Sequence, residues 1–454
     1  MFTWRVWLGV LVLAVSGLAA CDKTGQSKLN HAASLGWREY VQTDLEMSEF
    51  YGGSFTLAAR FMVQYPKAFV GPILASSGNG FEISKQTSTP ATKTTLVARF
   101  GQAQAVYDSV DLQGGKWYHV ALVRTGNQLK LYINGQVACP AGEASCAVAV
   151  DNVTPTGDLR LGRPGTVPIA GSAESQHYGF VDDVAVFTIP LSQNQIQSLI
   201  GAPRLLGNET GLYAGWTFDT ATPDGSSLPS VLTRPVVHQT ITSTGTVVSQ
   251  FPHAALVSQT RDSAIDEKFL KFPNNQVSLR LPFPNGEAWL VGQGWQGTAS
   301  HHERAAFAWD FSLAGKPPSD TNGKPYYAAA PGPVVEVEDN RTSCSGYPAN
   351  HVDVRHAPDE IGVYLHHVRN SAAVSVGQNV TAGTKLANTG DTGNTGCGSY
   401  HLHFALHNKP ESQAGDLVTI PATFENYEVS TDNGATWQLV KKGIPKQGEW
   451  VRNP

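Results

Sequence analysis

The chain predicts a mainly β protein built as two successive β-rich domains, and three features of the sequence predict it. Runs rich in Val, Ile, Tyr, Phe and Trp recur along most of its 454 residues, separated by Gly, Asn, Ser and Pro, as strands and turns require. Helical signals are confined to one short stretch near residue 195. A Thr-, Ser-, Pro- and Val-rich segment over 220–261 lacks periodicity and divides the chain as a linker. The first domain is expected over 29–219 and the second over 262–454.

The N-terminus decides the compartment. Arg5 precedes an apolar run from Val6 to Ala20, which has signal-peptide length and falls short of the ~20 residues of a spanning helix. The run ends Leu18-Ala19-Ala20-Cys21, which resembles the lipobox of bacterial lipoproteins. That resemblance implies a signal peptide over 1–20, a lipid on Cys21 and a tether over 21–28. It places the chain in the cell envelope as a lipid-anchored membrane lipoprotein, on the periplasmic side or the cell surface. Two or more acyl chains suffice for stable anchoring.

The charge balance is mild: 32 Lys and Arg against 37 Asp and Glu, with no basic block. Nucleic acid is therefore excluded as a partner. With Cys21 set aside, Cys139, Cys146, Cys344 and Cys397 remain in an oxidising compartment. Four cysteines permit three pairings, and their grouping favours Cys139 with Cys146 and Cys344 with Cys397.

In the first domain, Trp117 to Val123 and Leu129 to Ile133 read as strands, with Asn134-Gly135 a favoured two-residue hairpin turn. Ser192 caps a short helix whose Ile196 and Leu199 share a face, and Gly201 and Pro203 stop it. Lys116-Trp117-Tyr118-His119-Val120-Ala121, Leu131-Tyr132-Ile133-Asn134-Gly135 and Gly179-Phe180-Val181-Asp182-Asp183-Val184-Ala185-Val186, followed by that helix, resemble the laminin-G or concanavalin-like sandwich family. The resemblance implies a β-sandwich and a glycan or protein ligand without identifying it. Trp117 is read as core in preference to a sugar platform. Asp182 and Asp183 are read as solvated turn residues, with calcium binding the alternative.

The second domain concentrates histidine: nine of fourteen lie between His301 and His407. In Tyr400-His401-Leu402-His403-Phe404-Ala405-Leu406, strand alternation projects His401 and His403 together and leaves Leu402, Phe404 and Leu406 for the core. Alternation in Ala306-Phe307-Ala308-Trp309-Asp310-Phe311 puts Phe307, Trp309 and Phe311 on one face and Asp310 among alanines on the other. In Val363-Tyr364-Leu365-His366-His367, Val363 and Leu365 are expected to face the core, with Tyr364 and His366 opposite. A terminal hairpin is expected around Asn433-Gly434.

This ordered set resembles the lysostaphin-like zinc metallopeptidases over a core of about 281–407. The frame includes Leu281-Pro282-Phe283, Gln293-Gly294-Trp295, Val376-Gly377-Gln378-Asn379-Val380-Thr381-Ala382-Gly383 and Asn388-Thr389-Gly390-Asp391-Thr392-Gly393. The resemblance implies an antiparallel β-sheet metallopeptidase domain in which His301, Asp310 and His403 bind Zn2+ and His401 and His366 act on the substrate. It implies a zinc metalloendopeptidase hydrolysing peptide cross-links of peptidoglycan. The alternative is a catalytically silent wall-binding regulator or an adhesin on the same folds. Two departures stand: eight residues separate His301 from Asp310 where the family commonly has three, which makes His302 an alternative first ligand, and Tyr400 replaces a frequent proline.

Overall fold

The computed structural model describes residues 32–248 and 275–454, apart from short stretches at 36–38, 51–52, 68–70, 77, 79, 88–92, 151–153, 163–176, 203–204, 206, 218–227, 230–234, 242–246, 359 and 414–418. The expected signal peptide, Cys21 and the tether lie outside the described residues. Among the described residues no helix is long and apolar enough to cross a membrane.

The protein is nearly all β. In the N-terminal half, Gly179–Phe187, Ser54–Val63, Trp117–Thr125 and Gln128–Ile133 lie side by side in one antiparallel sheet. Glu39–Glu46, Asp158–Leu161, Gly71–Ser76, Phe81–Thr87 and Thr94–Phe100 form the core of the second. Alternate residues of the two sheets, among them Phe55, Phe61, Val120, Leu122, Ile83 and Leu96, join in one hydrophobic cluster between them, as face-to-face sheet packing requires. Part of the segment expected as linker pairs here too: Pro235–Ile241 runs antiparallel to Glu39–Glu46. Asn134 and Gly135 take φ of 50° and 76°, which the twist-matched hairpin turn demands. The helix Gln193–Gly201 begins in a capping box between Ser192 and Gln195. Cys139 pairs with Cys146.

Two expectations for this half are corrected. Trp117 is only partly buried, against Phe180; the cluster between the sheets takes alternate residues of its strand, Tyr118, Val120 and Leu122, which puts Trp117 on the outer face. The buried tryptophan of that cluster is Trp216. Asp182 and Asp183 are not in a solvated turn but in the buried Gly179–Phe187 strand, at an irregularity in its ladder. Asp183 binds the Arg60 guanidinium at 3.0 Å, which also donates to the carbonyls of Leu199 and Ile200 at the helix C-terminus. A buried carboxylate is tolerated there because a cation answers it.

The C-terminal half is built on one antiparallel sheet in the order Asn379–Val380, Gly332–Glu338, His351–Ala357, Glu360–Leu365, Leu402–His407, Trp309–Leu313, Trp289–Gln293, Trp450–Arg452, Phe424–Ser430, Gln438–Gly443, beside a separate pair of strands, Pro325–Tyr327 and Lys385–Asn388. Its apolar face carries Trp289, Trp309, Phe311, Tyr364, Leu402, Phe404 and Phe424 in one buried cluster. Those large side chains fix the register, since a one-residue slip would turn the histidines into the core and the aromatic residues out. Truncating such a residue, as in Phe404→Ala, costs about 3–5 kcal/mol. Asn433 and Gly434, at φ of 57° and 85°, turn the terminal hairpin between Phe424–Ser430 and Gln438–Gly443.

Candidate metal centre

Register brings the first two elements together. Asp310 stands directly opposite His403 in the ladder between Trp309–Leu313 and Leu402–His407. Asp310 Oδ1 lies 2.9 Å from His403 Nδ1 and 3.1 Å from His301 Nε2. The three ligand atoms of His301, Asp310 and His403 all fall within 4.8 Å of one another. His302, the alternative first ligand, is not in this group. His301 is fully buried, and its Nδ1 donates to the Gly294 carbonyl at 3.0 Å. That bond leaves the lone pair on Nε2, facing the carboxylate.

His401 and His366 stand beside this trio, with ring centroids 4.8 Å apart. His401 Nδ1 donates to the Ser399 carbonyl at 2.8 Å, and His366 Nδ1 to the Thr392 carbonyl at 2.7 Å. Both rings therefore keep the lone pair on Nε2; that of His401, which lines the cleft, is 3.6 Å from Asp310 Oδ1. The cleft wall includes Gly292, Thr298, Tyr400 and Gln447.

The route of His366 into the site corrects the expected alternation. Tyr364, not Val363 or Leu365, lies in the core, stacked on Tyr326 with its hydroxyl accepting from the Ala329 N–H. Val363 and Leu365 pack in a separate small cluster with Ala349 and Ile361. His366 reaches the site because its φ is 78°, a left-handed conformation that breaks the strand after Leu365. Histidine is among the non-glycine residues that tolerate this conformation best. The neighbouring His367 is a supporting residue: it is fully buried between the Tyr326 hydroxyl and the Asp339 carboxylate, each at 3.0 Å. Burial lowers its pKa to about 4, against the pull of Asp339.

The expected strand through Phe307 is also shorter than alternation suggested. It starts at Trp309, and Phe307 leaves the core for a cluster with Tyr178 and Trp295. Sequence reasoning missed Gln293 as a site residue. Its Nε2 donates to Asp310 Oδ2 at 3.0 Å and Ser300 Oγ at 2.8 Å, while its Oε1 accepts from the Ala299 and Ser300 N–H groups. It thus fixes both the carboxylate and the turn leading to His301.

Electrostatics match a cation site. Burial pushes the Asp310 carboxyl up, but His401, His301 and His403 outweigh it and hold the group well below its ordinary value. Burial drives His366 well down, helped by His401 and His403, and burial also lowers His403 against the pull of Asp310. An ionised carboxylate beside His366 and His403, whose imidazoles burial pushes toward the neutral form, is the state a metal needs. Two imidazole nitrogens and one carboxylate oxygen match the donor set of an open, three-ligand zinc site. The expected bridge between Cys344 and Cys397 is present, tying the segment before the His351–Ala357 strand to the loop before His401.

Comparisons with known proteins match two separate stretches of the chain. Residues 36–197 match the Concanavalin A-like lectin/glucanases superfamily, and residues 318–415 match Peptidase family M23. The second match takes in His366, His401 and His403 and begins after His301 and Asp310. No curated protein matches the chain. Among solved structures, a Bacteroides ovatus protein provisionally described as carbohydrate binding is 16% identical, over 49% of this chain and 59% of its own length, with a TM-score of 0.36. This chain therefore spans less than two thirds of it. The heptameric SAP-like pentraxin of Limulus polyphemus is 15% identical over 39% of this chain and 84% of its own, with a TM-score of 0.30. The catalytic domain of a prophage-encoded M23 protein from Enterococcus faecalis, solved as a point mutant, is 19% identical over 31% of this chain and 94% of its own, at 0.23. On the strength of the two family matches, the chain joins a concanavalin-like domain to an M23 peptidase domain.

Proposed function

We propose that the protein is a zinc metalloendopeptidase that hydrolyses peptide cross-links of bacterial peptidoglycan, anchored in the cell envelope through lipidated Cys21. The observation that carries this reading is the convergence of His301, Asp310 and His403 on one point, with His401 and His366 beside it. His301 Nε2, an Asp310 oxygen and His403 Nδ1 would hold the zinc, which when bound acidifies a water and polarises the scissile carbonyl. His401, with Nε2 bare, accepts the proton released as the water attacks. His366 Nε2, bare in the same way, is placed to take that same proton on from His401 and, once protonated, to hydrogen-bond the developing oxyanion, so the single proton released by the water serves both steps. The concanavalin-like domain would position the enzyme through a glycan or protein ligand.

Digestion of purified wall sacculi, with mass analysis of released fragments and zinc analysis of the enzyme, tests the reading. His403→Ala, Asp310→Ala and His301→Ala are expected to lose both zinc and activity, and His302→Ala neither. His366→Ala and His401→Ala are expected to keep zinc and lose turnover. Sacculi left intact by a zinc-loaded parent protein would overturn the activity. Full activity in the ligand variants would overturn the site.

A further inference from the structure

A second group of ligand-type side chains lies on the same sheet, away from the five residues above. Glu336 faces Asp353 across the ladder between Gly332–Glu338 and His351–Ala357, and His351 is two residues from Asp353 on the same face. Ligand atoms of the three fall within 4.8 Å of one another. His351 is 3% exposed and Asp353 0%.

The hydrogen bonding here is incomplete in one direction only. The Glu411 N–H satisfies Asp353 Oδ2 at 2.7 Å, and the Ser412 N–H satisfies Glu336 Oε2 at 3.1 Å. His351 Nδ1 donates to the Ala349 carbonyl at 3.0 Å, which leaves a lone pair on Nε2. Asp353 Oδ1 and His351 Nε2 have no hydrogen-bond partner among the described residues. Buried acceptors therefore converge with nothing to donate to them, a costly arrangement without a cation or a proton. His351 Nε2 stands 3.6 Å from Glu336 Oε1. That is too long for a hydrogen bond and close to the roughly 3.4 Å between two ligands held at about 2.1 Å around a tetrahedral ion.

We propose that Glu336, His351 and Asp353 form a second divalent-metal site, of the zinc or manganese class, that fastens the segment after the Leu402–His407 strand to the sheet. One imidazole nitrogen with two carboxylates suits those ions, whereas calcium takes six to eight oxygens. The segment is already drawn in: Glu411 accepts from the Tyr347 hydroxyl and lies 3.3 Å from His407 Nδ1. His407 ends the strand that carries His403, so the ion would brace one end of the strand whose other end bears the first site. Burial, then Glu411 and Glu336, push the Asp353 carboxyl well above its ordinary value. A proton shared with Glu336 is thus the competing way to quiet the cluster, and metal counting separates the two.

The full chain is stripped with a chelator, reloaded with Zn2+ or Mn2+ alone, dialysed and assayed for metal per chain. Glu336→Gln and Asp353→Asn are expected to carry one equivalent fewer than the parent, and to lose part of the metal-dependent rise in melting temperature. His301→Ala combined with Glu336→Gln is expected to carry one fewer than either alone, which separates this site from the first. Metal content equal to the parent in Glu336→Gln and Asp353→Asn would overturn the proposal in favour of the shared proton. Should Asp353→Asn fail to fold, Glu336→Gln, at a partly exposed position, decides the matter alone.

Discussion

Gly390 pairs backbone to backbone with His401 in an isolated bridge, and on its other side it lies against the backbone of His366 and His367. A Cβ there would stand 2.8 Å from the His366 carbonyl oxygen and 3.0 Å from the His367 carbonyl carbon. The absence of a side chain is therefore what lets the backbones carrying His366 and His401 approach. Gly390→Ala is expected to fold and to keep its metal, because none of the three ligands moves. Turnover should fall, on the order of 10²-fold for a displacement near 1 Å. Wall-digestion rates beside zinc analysis check this; an unchanged rate would show that the close approach is not needed.

Gln293 is the second residue whose role is positional. It holds Asp310 Oδ2 and the Ser300 turn at once, and groups that orient metal ligands typically contribute about 10–100-fold in metal affinity. Gln293→Leu should weaken zinc by that amount in a chelator competition, while Gln293→Glu fails differently by setting a second carboxylate against Asp310. Equal zinc affinity in parent and Gln293→Leu would refute the assignment.

The parts of the site legible in the sequence are those that strand alternation controls locally. His401 and His403 share a face because Leu402 and Phe404 need the core, and Asp310 follows from Trp309 and Phe311 in the same way. Alternation failed where the backbone leaves the strand region. His366 enters at a φ of 78° and so reverses the faces assigned to Tyr364 and Leu365. Gln293 lies past an irregularity in its ladder after Val291, and nothing in the residue string announces such a break. The sandwich was legible through its turn chemistry at Asn134-Gly135 and its cap at Ser192. Asp183 misled because its partner, Arg60, is more than a hundred residues away, and Asp182 because its strand pairs with the equally distant Ser54–Val63. The cluster at Asp353 was hidden for the same reason: His351 and Asp353 are neighbours in the chain, but Glu336 joins them only through the hairpin register.

The sandwich carries a pH dependence of its own. Lys85 is fully buried, and burial lowers its pKa to about 7. Between pH about 7 and 10.5 the unfolded chain thus holds a proton that the folded chain has released. Stability then rises with pH through that window, by up to about 1.4 kcal/mol per unit. His177 acts with the same sign lower down: burial, then Lys85, lower it to about 4, so stability is lost as pH falls from about 6.5 to 4. Denaturant melts of the full chain should show the N-terminal transition strengthening from pH 5 to 9. Lys85→Met should flatten the upper part of that curve. A parent curve flat above pH 7 would mean that Lys85 keeps its proton in the fold.

The two domains touch beside the candidate metal centre, and the contact involves the segment that carries His301. Tyr65 of the sandwich meets Trp295 and Phe307 edge to face, with centroids 5.6 and 5.2 Å apart, and Tyr178 meets Phe307 at 5.3 Å. The Lys67 N–H donates to Gln296 Oε1 at 2.7 Å, and its carbonyl accepts from the Glu303 N–H at 2.8 Å. Gln296 and Glu303 both have positive φ, at 58° and 51°, so the segment between them holds an unfavoured backbone shape that outside contacts must support. Each aromatic pair contributes about 0.5–1.5 kcal/mol beyond its buried area. Tyr65→Ala, which removes two of these pairs across the interface, is expected to loosen the segment and weaken zinc about tenfold without touching a ligand. The C-terminal half expressed alone should show a larger loss, because it gives up the Lys67 bonds as well. Zinc competition on both proteins, beside protease cleavage within 294–308, measures this. Zinc affinity and cleavage unchanged in the isolated half would show that the sandwich serves only to deliver the enzyme, with no part in shaping its site.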